Sequence, residues 1–145
     1  MTGPISRFPV PERAELPPDI AARIAEVEEK SGFVPNVFLA LAHRPQEWRA
    51  FFGYHDALME RETPMLTKAD RELIVVATSA GNDCLYCVVA HGAIARIRAR
   101  NPRIADQVAI DWRKAEITPA QHAMLDFATR LAAAPATVGA ADLDR

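Results

Sequence analysis

The chain has 145 residues, 50% hydrophobic and 25% charged, with seventeen basic residues against nineteen acidic ones and a formal charge of −2. That length makes one ordinary domain able to bury roughly two-thirds of its surface, and the composition excludes disordered, collagen-like and low-complexity classes. The balanced charge offers no large positive field, so nucleic acid is not the expected partner.

The first eighteen residues, MTGPISRFPVPERAELPP, hold five of the eleven prolines: Pro4, Pro9, Pro11, Pro17 and Pro18. They read as an extended arm, 1–18. With no apolar core behind a basic start, the arm is not a secretory signal, and the expected location is the cytoplasm. Residues 19–145 contain no linker and no repeat, and read as a single helical domain. The longest apolar runs, LIVVA at 73–77 and LAAAPA at 131–136, fall far short of the ~18 residues that span a bilayer.

Asp19 follows two prolines and can cap a helix over about 19–31, with Ile20, Ile24 and Val27 on one face. GFVPN at 32–36 is a turn, and a short apolar helix follows to about His43. Pro45 suits the first turn of the next helix, which carries Trp48, Phe51, Phe52, His55, Leu58 and Met59 at helical spacing. Thr67-x-x-Asp70 resembles a capping box and opens a helix over about 67–80. LIVVA inside it has strand propensity, but the cap, the length and the flanking charges favour helix. Gly81-Asn82 breaks the chain. Asn82 or Asp83 then caps a helix to about Arg100, and Asn101-Pro102 ends it. A helix from Pro102 to about Asp111 follows. Thr118-Pro119-x-Gln121 opens the last long one, which ends before Pro135. The class is all-α, a bundle of six to seven helices.

The chemistry concentrates in Glu72, Cys84, Cys87 and His91. The chain has only two cysteines, spaced C-x-x-C, a redox or metal spacing in a cytoplasmic protein. On one helix Cys84, Cys87 and His91 lie at i, i+3 and i+7 and share a face. With Cys84 in the first turn, the helix terminus favours its thiolate. In a regular helix these two Cβ atoms are about 5–6 Å apart, against about 3.5–4.5 Å in a disulfide. A bridge therefore distorts the first turn, and such strained bridges are the labile, catalytic kind. Residues 72 and 91 lie equally far from the Gly81-Asn82 break. If the two helices form an antiparallel hairpin there, Glu72 faces His91, with Cys87 about one turn of about 5.4 Å nearer the break. The result is a row of carboxylate, imidazole and thiol: Glu72 orients His91, His91 takes a thiol proton, and the thiolate attacks.

The pattern Glu72-x11-Cys84-x2-Cys87-x3-His91, set in RELIVVATSAGNDCLYCVVAHGA, resembles the alkylhydroperoxidase D group of the carboxymuconolactone decarboxylase-like superfamily. GFVPNVFLALAHRP upstream resembles its peroxidase-related branch. The resemblance covers about residues 20–140. It implies a thiol peroxidase that reduces hydrogen peroxide or an organic hydroperoxide, with Cys87 peroxidatic, Cys84 resolving, and Glu72 and His91 as proton relay. It implies a helical bundle, with a central hairpin carrying the cysteines, assembled as a homotrimer or homohexamer. No cofactor and no metal are expected. A dithiol reductant, dihydrolipoyl or thioredoxin-like, fits the chemistry. By terminus electrostatics alone, Cys84 is the better thiolate, so the two readings differ over which sulfur attacks. Where members of the group carry a histidine before the second cysteine, this chain has Tyr86, whose neutral phenol cannot relay protons near pH 7. Branch relatives run longer, and TVGAADLDR reads as a turn and the start of a helix, so a terminal helix is expected to be missing.

Blander readings stand beside these. The cysteines can be small buried hydrophobes, or two of four zinc ligands with His91 and Glu72. A lactone decarboxylase needs no cysteine pair. A redox-sensing or assembly module keeps the disulfide switch without turnover. His43 reads as a helix-terminal residue, His55 as half buried, and neither they nor His122 as catalytic. Trp48, Phe51 and Phe52 read as core or subunit interface. Arg96, Arg98, Arg100 and Arg103 read as a solvated basic stretch, with anion binding near the helix end as the alternative.

Overall fold

The computed structural model describes residues 4–142, and among these the chain forms seven α-helices and no strand. An isolated bridge between Thr63 and Leu66 closes one loop. No helix of the described residues is long and apolar enough to cross a membrane. The chain divides into two compact units, 1–58 and 59–145.

In the first unit a short 3-10 turn, Arg13–Glu15, leads into α1, Pro18–Ser31, then α2, Asn36–Ala40, and α3, Pro45–Met59. Asp19 does not cap α1. The cap position is Pro17, with Pro18 opening the helix and Asp19 in the first turn. Proline brings no N–H that needs capping, which frees the Asp19 carboxylate to bind Arg49 at 2.6 and 2.8 Å. Gly32 ends α1 at φ 76°, a left-handed conformation that glycine adopts without a Cβ penalty. Leu16, Ile20, Ile24, Ala42, Trp48 and Phe52 form the core. Phe38 stacks on Phe52 at 4.2 Å, and the Trp48 ring lies 4.4 Å from it. The Trp48 indole N–H donates to the Phe38 carbonyl at 3.0 Å, so the ring is buried without an orphaned donor. Trp48 and Phe52 are core residues, whereas Phe51 is exposed. His43 binds the Ala40 carbonyl at 2.8 Å, just past the end of α2.

The second unit holds α4, Lys68–Gly81; α5, Leu85–Ala99; α6, Ile104–Asp111; and α7, Pro119–Ala133. The Thr67–Asp70 capping box forms as the sequence predicts, and so does the Thr118–Gln121 box that opens α7. Gln121 also donates to Asp70 at 2.8 Å, tying the two helix starts together. LIVVA is helical, and its Leu73, Val76 and Ala77 are buried with Ala95, Ile104, Ala105, Val108, Ala115 and Leu125. α6 starts two residues later than Pro102. Asn101 accepts a hydrogen bond from the Arg103 N–H, a local turn that competes with helix there.

Candidate active site

α4 and α5 make the principal packing pair of the second unit, joined by a connection of three residues, Asn82 to Cys84. Neither Asn82 nor Asp83 caps α5. Asn82 closes α4, Asp83 turns the chain at φ 54°, and Cys84 occupies the cap position. Aspartate tolerates this left-handed turn because its short polar side chain can bond locally. Cys84 therefore stands just outside the helix, at φ −87° and ψ 86°. The expectation that a bridge must distort the first helical turn does not hold, since one of the two residues is not in that turn.

The hairpin is antiparallel in the anticipated register. The Cys84 N–H donates to the Ser79 carbonyl at 2.9 Å, and His91 Nδ1 lies 2.7 Å from Glu72 Oε2. Both pairs are centred on the Gly81-Asn82 junction. Glu72 is only 2% exposed. Because a carboxylate only accepts, Nδ1 of His91 donates this hydrogen bond, and Nε2 is the ring nitrogen turned away from Glu72.

The two thiols are both partly exposed, and their environments push them apart. Cys84 makes no strict side-chain hydrogen bond as a cap. Even so, the backbone N–H of Cys87, the neighbouring Cys87 side chain and the N–H of Tyr86 outweigh desolvation and hold its thiol below the usual range. This is the helix-terminus effect acting on a cap sulfur. Cys87 moves the other way. Burial raises it first, then the adjacent Cys84 sulfur, and the nearby Ser79 hydroxyl offsets part of the rise. Burial and the Cys87 charge also push the Tyr86 phenol up, so it is a neutral hydroxyl at pH 7.

Two residues of this neighbourhood escaped the sequence reading. Ser79 is buried, and it lies seven positions after Glu72, two helical turns along the same face. Arg98 lies seven positions after His91. It is not part of a solvated stretch: Nη1 approaches Glu72 Oε1 at 3.2 Å and Nη2 binds Glu60 Oε1 at 2.6 Å. Heptad spacing from the motif residues was the available signal for both. The other arginines pair peripherally, Arg96 with Asp106 and Arg103 with Glu116. His55 contacts Asp56, and His122 packs on Trp112, away from the cysteines in sequence and in contacts. Among the described residues no three His, Cys, Asp or Glu side chains are grouped to hold a metal ion. An apolar groove of about 700 Å³ is lined from α4 by Ile74 and Thr78 and from α7 by Met124, Phe127 and Leu131.

Residues 45–141 match the family model described as the carboxymuconolactone decarboxylase family. The chain belongs to this family. Its structure is similar to a crystal structure from Ralstonia eutropha JMP134, described as an alkylhydroperoxidase AhpD core and an uncharacterized peroxidase-related protein. The two are 62% identical, with TM-score 0.91, over 99% of this chain and 75% of that one. A peroxidase-related protein from Silicibacter sp. TM1040 is 34% identical, with TM-score 0.87, over 95% of this chain and 71% of that one. No curated protein matches the chain. Within the carboxymuconolactone decarboxylase family it therefore stands with the alkylhydroperoxidase D-like, peroxidase-related members.

Proposed function

We propose that the protein is a thiol-dependent peroxidase working through a Cys84–Cys87 dithiol/disulfide couple. The observation that carries this is the buried Glu72 carboxylate holding His91 Nδ1 at 2.7 Å, one helical turn beyond Cys87 on the same helix. Cys84 is the acidic thiol, and Cys87 is the one that needs a base. In this reading His91, one turn along α5, supplies it: Nε2 takes the Cys87 proton. The Cys87 thiolate attacks the terminal oxygen of the hydroperoxide. The O–O bond breaks, Cys87 becomes a sulfenic acid, and the leaving alkoxide takes the proton from His91 to give the alcohol. The Cys84 thiolate then displaces hydroxide from Cys87, forming the disulfide, and hydroxide leaves as water after protonation from solvent. A small dithiol, dihydrolipoyl or thioredoxin-like, returns two electrons by thiol–disulfide exchange. A low-pKa thiol at Cys84 is suited to both of its roles, as resolving nucleophile and as leaving group. Association into a homotrimer or homohexamer is part of the proposal. The exposed Leu85, Val89 and Ile97, spaced along one face of α5, favour it.

A second reading rests on the same shifts. Because its surroundings favour the thiolate at Cys84 more than at Cys87, that sulfur is itself a competent attacker. Reduced protein freed of reductant and given one equivalent of cumene hydroperoxide tests both readings. Loss of two thiols per peroxide consumed is expected. Persistence of the thiols for hours sinks the peroxidase and leaves a redox-sensing or assembly module, or a decarboxylase-type enzyme. Cys84→Ser is expected to trap a sulfenic acid on Cys87. A sulfenic acid on Cys84 in Cys87→Ser reverses the assignment.

A further inference from the structure

We propose that Arg98 is a positioning residue of the thiol relay, holding Glu72 as the anion that orients His91. The inference rests on the peroxidase reading above for its role in turnover, but its geometry is independent of substrate. A carboxylate as buried as Glu72 needs both hydrogen bonds and a compensating charge. A neutral His91 gives one hydrogen bond to Oε2 and no charge. Arg98 supplies the charge at Oε1, and guanidinium does not titrate in a protein. Its fork is fixed from the other side as well. Nη1 donates to the Met59 carbonyl at 3.1 Å, and Nη2 binds Glu60, which Lys68 holds at 2.9 Å.

Charges thus alternate outward from His91: Glu72, Arg98, Glu60, Lys68. The charged side chains of α6 and α7 are engaged elsewhere, Asp106 with Arg96, Asp111 with Lys114, and Asp126 with Arg130. Arg98 is therefore the fixed charge at Oε1, while His91 holds Oε2. Without it the buried carboxylate loses its charged partner and is left with His91 alone, so the ring is no longer held in the orientation the relay requires. The same helix carries both grips on Glu72, since His91 and Arg98 sit two turns apart on one face of α5.

The test compares four proteins: wild type, Arg98→Met, Glu72→Gln, and Glu72→Gln combined with Arg98→Met. Two quantities are read: the His91 tautomer by 15N-resolved NMR, and the pH profile of thiol oxidation by cumene hydroperoxide. Wild type is expected to show His91 protonated at Nδ1, the nitrogen that faces Glu72. Arg98→Met is expected to show mixed or doubly protonated His91 and an oxidation rate lower by about 10- to 100-fold, the range for residues that orient a functional histidine from behind. Arg98→Lys, which keeps the charge, recovers most of the tautomer and the rate. A wild-type tautomer and pH profile in Arg98→Met overturn the proposal.

The double variant decides even if Arg98→Met does not fold, because it leaves no unpaired charge in the interior. If Arg98 acts through Glu72, the double variant matches Glu72→Gln in both readouts. A further tenfold loss, or a further change of tautomer, assigns Arg98 a separate structural role and overturns the proposal. If wild type consumes no peroxide, the peroxidase reading fails while the tautomer comparison still tests Arg98.

Discussion

The two units of this chain solve the same packing problem with different materials. The described residues of 1–58 are built round stacked rings, with Phe38, Trp48 and Phe52 at the centre and ion-pair side chains at least a third exposed. Among the described residues of 59–145, no aromatic side chain is among the buried core residues. Their core is Leu, Ile and Val padded with alanine, and into it goes a carboxylate. Small residues let α4 and α5 run close together, so that side chains from one helix reach partners on the other. An aromatic core fills space but brings no titratable groups together. The difference separates a region whose charges decorate it from a region whose charges are part of its interior.

The contrast is tested most severely by removing one acid from each unit. Glu72→Ala leaves His91 and Arg98 facing a buried gap, and we expect a loss of about 3–5 kcal/mol in unfolding free energy, the range for breaking a buried pair from one side. Asp56→Ala removes the partner of Arg23, a pair whose side chains are 39% and 34% exposed. The expected loss there is about 0–1 kcal/mol, since solvent screens such a pair. Urea unfolding of both variants measures this. Equal losses would show that Glu72 is no more costly to unpair than a surface acid, and the contrast between the units would fall.

The core residues sharpen the comparison next. Leu125→Ala opens a core cluster that holds four alanines, Ala77, Ala95, Ala105 and Ala115, and an alanine has no side-chain torsion with which to fill space. Ile24→Ala opens the first unit's cluster, which holds one buried alanine, Ala42, and against which Val34, Phe38 and Leu41 pack. Both should cost about 2–5 kcal/mol, Leu125→Ala at the upper end, because the cost grows with the cavity that remains. A larger loss for Ile24→Ala by the same denaturation measurement contradicts this account.

What could be read from the sequence divides along similar lines. Helices were legible wherever a local signal stood at their ends. The capping pairs Thr67–Asp70 and Thr118–Gln121, and the breaks at Gly32, Gly81 and Asn101, lie within a few residues of what they control. The register of Glu72 against His91 was legible because a tight antiparallel hairpin makes pairing a matter of counting from its turn. The cap of α5 was missed. Asn82 and Asp83 both have the chemistry of caps, yet Asn82 is spent in closing α4 and Asp83 in the left-handed turn. Sequence preference does not say which of three adjacent residues takes which job. Arg98 was misread because a run of arginines on a helix looks solvated, and only the partner across the hairpin shows that one of them turns inward. Asp19 was misassigned as a cap because Pro18 already occupied the first helical position. These are failures of competition between neighbours, not of the helical pattern itself.

A smaller effect links the two capping boxes. Thr67→Ala and Thr118→Ala should each cost about 1 kcal/mol, the usual worth of an N-cap hydroxyl. They should not add. Gln121 completes the second box and also donates to Asp70 of the first. Burial alone would raise the Asp70 carboxyl, but hydrogen bonds from Gln121 and Thr67 outweigh it and hold the group below its ordinary range. A double variant whose loss equals the sum of the single losses, by thermal unfolding, means the two helix starts are independent.

The smallest effect belongs to the first unit and has a definite sign. The two hydrogen bonds from Arg49 lower the Asp19 carboxyl from an ordinary 3.8 to about 2, against desolvation and aided by the Arg49 charge and the backbone N–H groups of Asp19 and Ile20. A depressed carboxylate contributes stability above its unfolded value and loses it as pH falls through its folded one. The contribution is therefore full above about pH 4 and fades toward pH 2. Asp19→Asn removes it, so the difference in unfolding midpoint between wild type and variant should be constant from neutrality to about pH 4 and shrink below. Because both partners are at the surface, added salt should shrink it as well. A difference that persists unchanged at pH 2 and in high salt means that Asp19 acts in the first turn of α1 through something other than its charge.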